Sequence, residues 1–249
     1  MKIYRLISIA DIFTLVNALL GLGAILFVMR GQVRYAVYAV LMGILADGLD
    51  GVVARRFSRK WYLGDYLDVM ADTTSFCVAP AVVVFAVVWN NGLAFLGDLE
   101  GVVLFAACGS TVICGLLRLA RFAYVSGGHS STFVGLPSPG NALVLMLLTL
   151  QTMVSATPVP AALLVVASFI LSGLMITDLR WPKVRGAFAY VSGAVIFLVI
   201  MAIQLDFTKL FSEFLLDVAL MLAVAYAALG PLAAGRKTKA APPGAAGGD

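Results

Sequence analysis

The sequence predicts an all-α integral membrane protein with about eight transmembrane helices, and three observations carry that prediction. The first is composition: of 249 residues, 62% are hydrophobic and only 12% charged, with a mean hydropathy of +1.02. Soluble domains carry about 25% charged residues, and a soluble core of this size would need far more polar cover. The second is length, because apolar runs of roughly the 20 residues needed to span a bilayer recur along the chain. The third is the placement of lysine and arginine between those runs.

The runs lie at residues 9–29, 35–54, 67–89, 102–122, 142–156, 161–176, 187–204 and 211–228. The fifth and sixth are short and joined only by residues 157–160, which leaves six spans as the alternative count. Residues 1–10 are amphipathic, without the basic segment and cleavage site of a secretory signal, so no cleavable leader is predicted. A cytoplasmic N-terminus with eight crossings leaves only Arg30, Arg34 and Lys209 of the 17 basic residues outside. Lys2, Arg5, Arg55, Arg56, Arg59, Lys60, Arg118, Arg121, Arg180, Lys183, Arg185, Arg236, Lys237 and Lys239 then lie inside, the asymmetry that sets membrane orientation. Asp98 and Glu100 fall in an outer loop. The net charge of +4 thus reports topology, and no nucleic-acid partner is expected.

Residues 1–234 are read as one membrane domain and 235–249, rich in Gly, Pro and Ala, as a disordered cytoplasmic tail. Cys77, Cys108 and Cys114 sit inside the apolar runs without a CxxC pair, so they predict neither a disulfide framework nor a zinc site. His129 stands alone in a Gly/Ser loop. Residues 125–140, polar and punctuated by Gly and Pro, predict a structured binding loop.

The acids are the strongest functional signal. Asp47, Asp50, Asp65, Asp68 and Asp72 crowd either side of one loop. Four of them form the pattern Asp47-x-x-Asp50-Gly51-x-x-Ala54-Arg55, then eight residues, then Gly64-x-x-x-Asp68-x-x-x-Asp72. Residues three or four apart share a helix face, so Asp47 and Asp50 line the end of the second helix, and Asp68 and Asp72 the start of the third. A short loop makes the two helices antiparallel neighbours, so four carboxylates converge. Each costs about 2.5–3.5 kcal/mol at mid-bilayer, and together they repel. A divalent cation, or a pair, resolves both problems, and oxygen-only ligands favour hard ions. Caps and pairs with Arg55, Arg56 and Arg59 account for one or two acids, but not for four on facing helices. Asp65 is off the spacing and reads as a cap with Gly64. Gly51 and Ala54 keep one flank of the second helix open for a flat ligand. A metal transporter would predict acids spread near mid-membrane and an internal repeat, and neither is visible.

The pattern from Asp47 to Asp72 resembles the CDP-alcohol phosphotransferase signature at every position. The resemblance implies a six-helix catalytic core and a CDP-linked donor. It implies a divalent metal site for two ions, Mg²⁺ or Mn²⁺, with Asp47, Asp50, Asp68 and Asp72 as ligands and Asp72 also as general base. Asp47, Asp50, Gly51, Ala54, Arg55, Gly64 and Asn17 are the implied CDP-lipid contacts, with Arg55 either on a donor phosphate or a membrane anchor.

A narrower similarity runs from about Asp11 to Arg185. Asp11-Ile12-Phe13-Thr14-Leu15-Val16-Asn17 resembles the first-helix signature of integral-membrane phosphatidylserine synthases. Ala71-Asp72-Thr73-Thr74-Ser75-Phe76-Cys77-Val78-Ala79-Pro80 resembles their A-D-x-x-S-F-G-x-A-P stretch, with Cys77 where Gly is usual. Arg118-Leu119-Ala120-Arg121-Phe122 and Phe133-Val134-Gly135-Leu136-Pro137-Ser138-Pro139 resemble two further elements, with Ala123 where Asn is usual. This implies CDP-diacylglycerol or CDP-archaeol as donor, L-serine as acceptor and CMP as product, in a homodimer embedded in membrane lipid. The plasma membrane, with the active site facing the cytoplasm, is the implied location. Arg118, Arg121, Phe133, Gly135, Pro137 and Ser138 are the implied acceptor or phosphate contacts, and snorkelling to the interface is the other role open to the two arginines. An inositol phosphate or glycerol phosphate acceptor is the alternative, with the same chemistry.

Overall fold

Inside a bilayer every backbone N–H and C=O must find its partner within the protein, and a helix achieves this locally. The chain accordingly folds almost wholly as helix. The structure, a computed structural model, describes residues 9–57, 62–90, 98–125, 132–155, 160–182, 187–205 and 208–239, with the side chains at 9–10, 50–57, 62–63, 65, 98, 125, 132, 187–189 and 233–239 outside that description. Its elements run α1 (Ile9–Met29), α2 (Val33–Phe57), α3 (Tyr62–Asp72), a π-helical turn (Thr73–Val78), α4 (Ala79–Asn90), α5 (Asp98–Val125), β1 (Thr132–Val134), α6 (Ser138–Val154), α7 (Ala161–Ile176), β2 (Arg180–Pro182), α8 (Ala187–Gln204) and α9 (Lys209–Lys239). Four segments, Asp11–Met29, Tyr66–Asn90, Leu99–Tyr124 and Lys209–Leu232, are long and apolar enough to cross a membrane. Ser138–Val154, Ala161–Ile176 and Tyr190–Gln204 are shorter apolar helices. Large apolar side chains such as Leu19, Phe105 and Leu210 stand exposed on the outside, the surface a lipid-facing protein presents. This is an all-α integral membrane protein.

The helices fall where hydropathy predicts them, and α1, α7 and α8 match to the residue. The departures are local. Helix α5 starts at Asp98 rather than in an outer loop after Glu100, since an acid in the first turn faces the positive end of the helix dipole. Helix α9 continues through Pro231 to Lys239, past the predicted start of the tail. Residues 240–249, like His129, lie outside the described residues.

Helices α1 and α2 form an antiparallel hairpin. At its turn Gly31, with φ of 71°, donates to Val28 O at 2.8 Å, and Gln32 donates to Phe27 O at 2.9 Å. These two reverse bonds close the α1 C-terminus and require the left-handed backbone that glycine adopts freely. Helix α6 lies at the centre, buried from Val144 through Gln151 with little regard to face, as a helix surrounded by others must be.

Helices α3 and α4 form one rod, interrupted by the π turn. There Ala79 N–H reaches back five residues to Thr74 O. Thr73 Oγ1 donates to Val69 O at 2.8 Å and Thr74 Oγ1 to Met70 O at 3.3 Å, serving carbonyls that the widened ladder loosens. Pro80 follows at once, and its ring needs the room that the wider turn provides.

A second unpredicted feature is a two-stranded antiparallel sheet, with Thr132 opposite Pro182, Phe133 opposite Trp181 and Val134 opposite Arg180. The stretch read as a binding loop is thus partly strand, because extended backbone beside helix ends satisfies itself best by pairing. Trp181 is fully buried and donates to Ala227 O of α9 at 3.2 Å, tying the sheet to the bundle.

Candidate active site

Three of the acidic residues of α2 and α3 converge. One carboxylate oxygen from each of Asp47, Asp68 and Asp72 lies within 4.8 Å of the others. Asp47 and Asp68 are half-buried, and Asp72 is only 7% exposed. Asp50 lies on α2 three residues beyond Asp47, but its side chain, with those of Gly51, Ala54, Arg55 and Asp65, lies outside the described residues. Three carboxylates so close in a partly dry setting repel one another. An all-oxygen set at this spacing fits a hard divalent cation.

Helix α1 supports this cluster from behind. Asn17, fully buried, donates from Nδ2 to Asp72 Oδ1 at 3.4 Å. Its own carbonyl accepts from Ser75 Oγ in the π turn at 2.7 Å. Small residues permit that approach: a Cβ on Gly21 would lie 2.8 Å from Ser75 Cα, and one on Gly43 would lie 2.9 Å from Asn17 Oδ1. Asn17, expected at the CDP-lipid, therefore contacts Asp72 itself. Gly64 meets Asp11 of α1, whose Oδ1 would be 2.9 Å from an added Cβ.

The two arginines of α5 have separate surroundings. Arg118 is 5% exposed and donates from Nη1 to Ser138 Oγ at 2.9 Å. Its guanidinium lies 5.7 Å from the ring centre of Phe122 and 5.5 Å from that of Phe133, a cation–π setting. Asp72 and Asp47 lie within electrostatic range of it, so it brings positive charge to the acidic end. Arg121 instead braces the sheet. Its Nη1 pairs with Asp178 at 3.1 Å, and its Nη2 donates to the carbonyls of Val134, Met175 and Thr177 at 3.0, 3.3 and 3.1 Å.

Gly135 makes that bracing possible. It has φ of 78° and donates to Leu179 O at 2.8 Å, while a Cβ there would run into Met175 O and approach Arg121 Nη2 at 2.7 Å. Only glycine takes this backbone readily without a clash. Leu136 then donates to Leu174 O at 3.1 Å, and Pro137, extended at φ −60° and ψ 140°, opens α6. Phe133 and Ser138 thus lie against Arg118, while Gly135 lies against Arg121 and Met175 and Pro137 joins them in the chain.

Sequence reasoning missed Asn141. It is fully buried near the start of α6, and neither polar atom of its side chain has a hydrogen-bond partner among the described residues. An amide inside an apolar run, three residues after Ser138, was the available signal. At the other end of the bundle an open depression of about 400 Å³ is lined by Gly31, Gln32, Arg34, Met153 and Gln204 among others. Among the described residues its lining includes no carboxylate.

Residues 7–199 match the profile of the family described as CDP-alcohol phosphatidyltransferase. The chain is 32% identical over 187 residues to the archaetidylserine synthase of Methanothermobacter thermautotrophicus, covering 74% of each protein. It is 30% identical over 182 residues to the CDP-diacylglycerol–serine O-phosphatidyltransferase of Methanocaldococcus jannaschii, covering 73% of this chain and 77% of that one. The enzyme of the same description from Bacillus subtilis is 30% identical over 173 residues, covering 69% and 88%. With Asp47, Asp68 and Asp72 converged and the match running from α1 into α8, this chain belongs to the CDP-alcohol phosphatidyltransferase family.

Proposed function

We propose that the chain transfers the phosphatidyl or archaetidyl group of a CDP-lipid to the hydroxyl of L-serine, releasing CMP. The observation that carries this is the convergence of Asp47, Asp68 and Asp72 beside Arg118 and Ser138 at one end of the bundle. The serine Oγ–P bond forms as the bond from that phosphorus to the CMP oxygen breaks, and the hydroxyl proton goes to a carboxylate. Asp72 is the base in this reading. It is the most buried acid of the three, and the Asn17 amide on Oδ1 holds its orientation. Proton acceptance requires an approach of about 2.6–3.2 Å in the complex. Asp47, Asp68 and Asp72, with Asp50 by resemblance, would hold two Mg²⁺ or Mn²⁺ ions, which would neutralise the diphosphate charge and polarise the leaving CMP. Arg118, beside the acids, neutralises an acceptor or phosphate anion.

The asymmetry of lysine and arginine supports a cytoplasmic orientation of this end, in a multi-pass protein of the plasma membrane. The catalytic unit is residues 1–234, with α9 running on to Lys239, and it works as a homodimer by resemblance to its family. The similarity to three serine-directed enzymes supports serine over a polyol phosphate.

Purified protein with CDP-diacylglycerol or CDP-archaeol, Mg²⁺ or Mn²⁺ and radiolabelled serine is expected to give lipid-soluble label that chelation abolishes. Label entering lipid from inositol phosphate or glycerol phosphate but not from serine would overturn the assignment.

A further inference from the structure

We propose that Asn141, together with Arg118 and the first turn of α6, forms the subsite that recognises the amino-acid end of the acceptor. The proposal rests on the reading of serine as acceptor and names the groups that select it. Burying a carboxamide with neither its donor nor its acceptor used is costly, and buried polar side chains are as a rule satisfied. Asn141 breaks that rule with an exposure of 0%. Arg118 breaks it too: Nη1 is taken by Ser138, but the buried Nε has no partner among the described residues. Both groups flank Ser138. Asn141 is three residues further along α6, on the same face, and Arg118 reaches the Ser138 hydroxyl from α5.

The start of α6 adds a third element. Pro137 precedes it without a side-chain cap, so the N–H groups of the first turn and the positive end of the helix dipole favour an anion there. Helix α6 packs against α2, which carries Asp47, and against the π turn that follows Asp72.

The chemistry matches a zwitterion better than a phosphate. A carboxamide offers donors on Nδ2 and an acceptor on Oδ1. The guanidinium, the helix end and Nδ2 suit a carboxylate, and Oδ1 suits an ammonium group. A polyol phosphate brings two negative charges and no donor cation, and calls for a second base. The neighbouring Arg121 does not serve, because Asp178 and three carbonyls occupy it.

The test uses the full chain in lipid nanodiscs, with Asn141→Leu and Asn141→Ser. KM for serine, KM for the CDP-lipid and the thermal midpoint are measured separately, along with the preference for serine over ethanolamine, which lacks the carboxylate. Losing a hydrogen bond to a charged ligand group is expected to raise the serine KM of Asn141→Leu about 10- to 100-fold. The donor KM should hold within about twofold, and the serine-over-ethanolamine preference should shrink. The thermal midpoint should hold or rise, since the unpartnered amide is gone. A serine KM within about threefold of wild type, or a donor KM rising in parallel, would overturn the proposal. So would a lowered midpoint or loss of folded protein in both variants, which assigns the amide to packing. Wild-type protein inert toward serine sinks the functional reading itself, whereas unchanged variants of a serine-active wild type sink this inference alone.

Discussion

Asp72→Asn separates the proposed proton-accepting role of Asp72 from its place in the fold. The side chain is 7% exposed and receives the Asn17 amide on one oxygen at 3.4 Å. Asparagine has the same shape, and its carbonyl oxygen can keep that bond, so the α1–α3 contact should survive. The other oxygen becomes an NH₂, which cannot take a proton. A positioned general base contributes about 10²–10⁴ in rate, which at 1.36 kcal/mol per decade is about 3–5.5 kcal/mol of barrier. Asp47 and Asp68 each present an oxygen within 4.8 Å, so relay through water sets the residual rate and favours the lower half of that range. The substitution also removes one negative charge from the cluster and weakens cation affinity. The two effects separate in a Mg²⁺ titration of serine incorporation, where a binding defect is overcome by more metal and a missing base is not. The expected result is a kcat at saturating Mg²⁺ lower by about 10²-fold or more, with CDP-lipid still bound. A kcat within about tenfold of wild type at saturating metal would refute the assignment of the base.

Two further predictions concern packing around the site. Gly115 on α5 faces Cys77 so closely that an added Cβ would collide with Sγ and lie 3.1 Å from Cys77 Cβ. Gly115→Ala should therefore cost about 1–3 kcal/mol, read as a lower thermal midpoint, and Cys77→Gly in the same chain should recover much of it; no recovery would refute the contact. Asp178 is 98% exposed where it pairs with Arg121, so Asp178→Ala should change stability by less than about 1 kcal/mol. Arg121→Ala also strips three backbone carbonyls of their donor, with an expected cost of about 2 kcal/mol or more; equal effects in urea or thermal unfolding would refute the bracing role.

What the sequence made legible follows from the range over which each signal acts. The helices were readable because the bilayer demands unbroken apolar runs and leaves the backbone no alternative. The acids were readable because carboxylates in such runs are costly and their spacing of three and four places them on one face. The strand pair was not readable, since Phe133 meets Trp181 only after α6 and α7 have packed between them in sequence. Nor does the sequence separate Arg118 from Arg121. Three residues apart on one helix, they look equivalent until Asp178 and the end of α7 claim one of them. Asn17 could be seen as an odd polar residue in α1, yet its partner in Asp72 depends on how closely Gly21 and Gly43 let the helices approach.

The π turn is where fold and site meet. One extra residue in a turn displaces everything after it by about 100° around the helix axis. The stripe Asp68–Asp72 therefore ends at the turn instead of continuing up α4, where Ala79, Val83, Val84, Val87 and Val88 are buried. A single rod thus shows carboxylates to α2 at one end and an apolar surface to the bundle at the other. Within the turn, Ser75 binds the Asn17 carbonyl, and Cys77 packs on Gly115. Pro80 stabilises this break rather than causing disorder, because an α-helical continuation would press its ring on the preceding turn. The largely apolar stretch after Asp72 thus fixes how Asp72 is held through Ser75 and Asn17, which is why the acid spacing alone explains where the charge is but not how it is held.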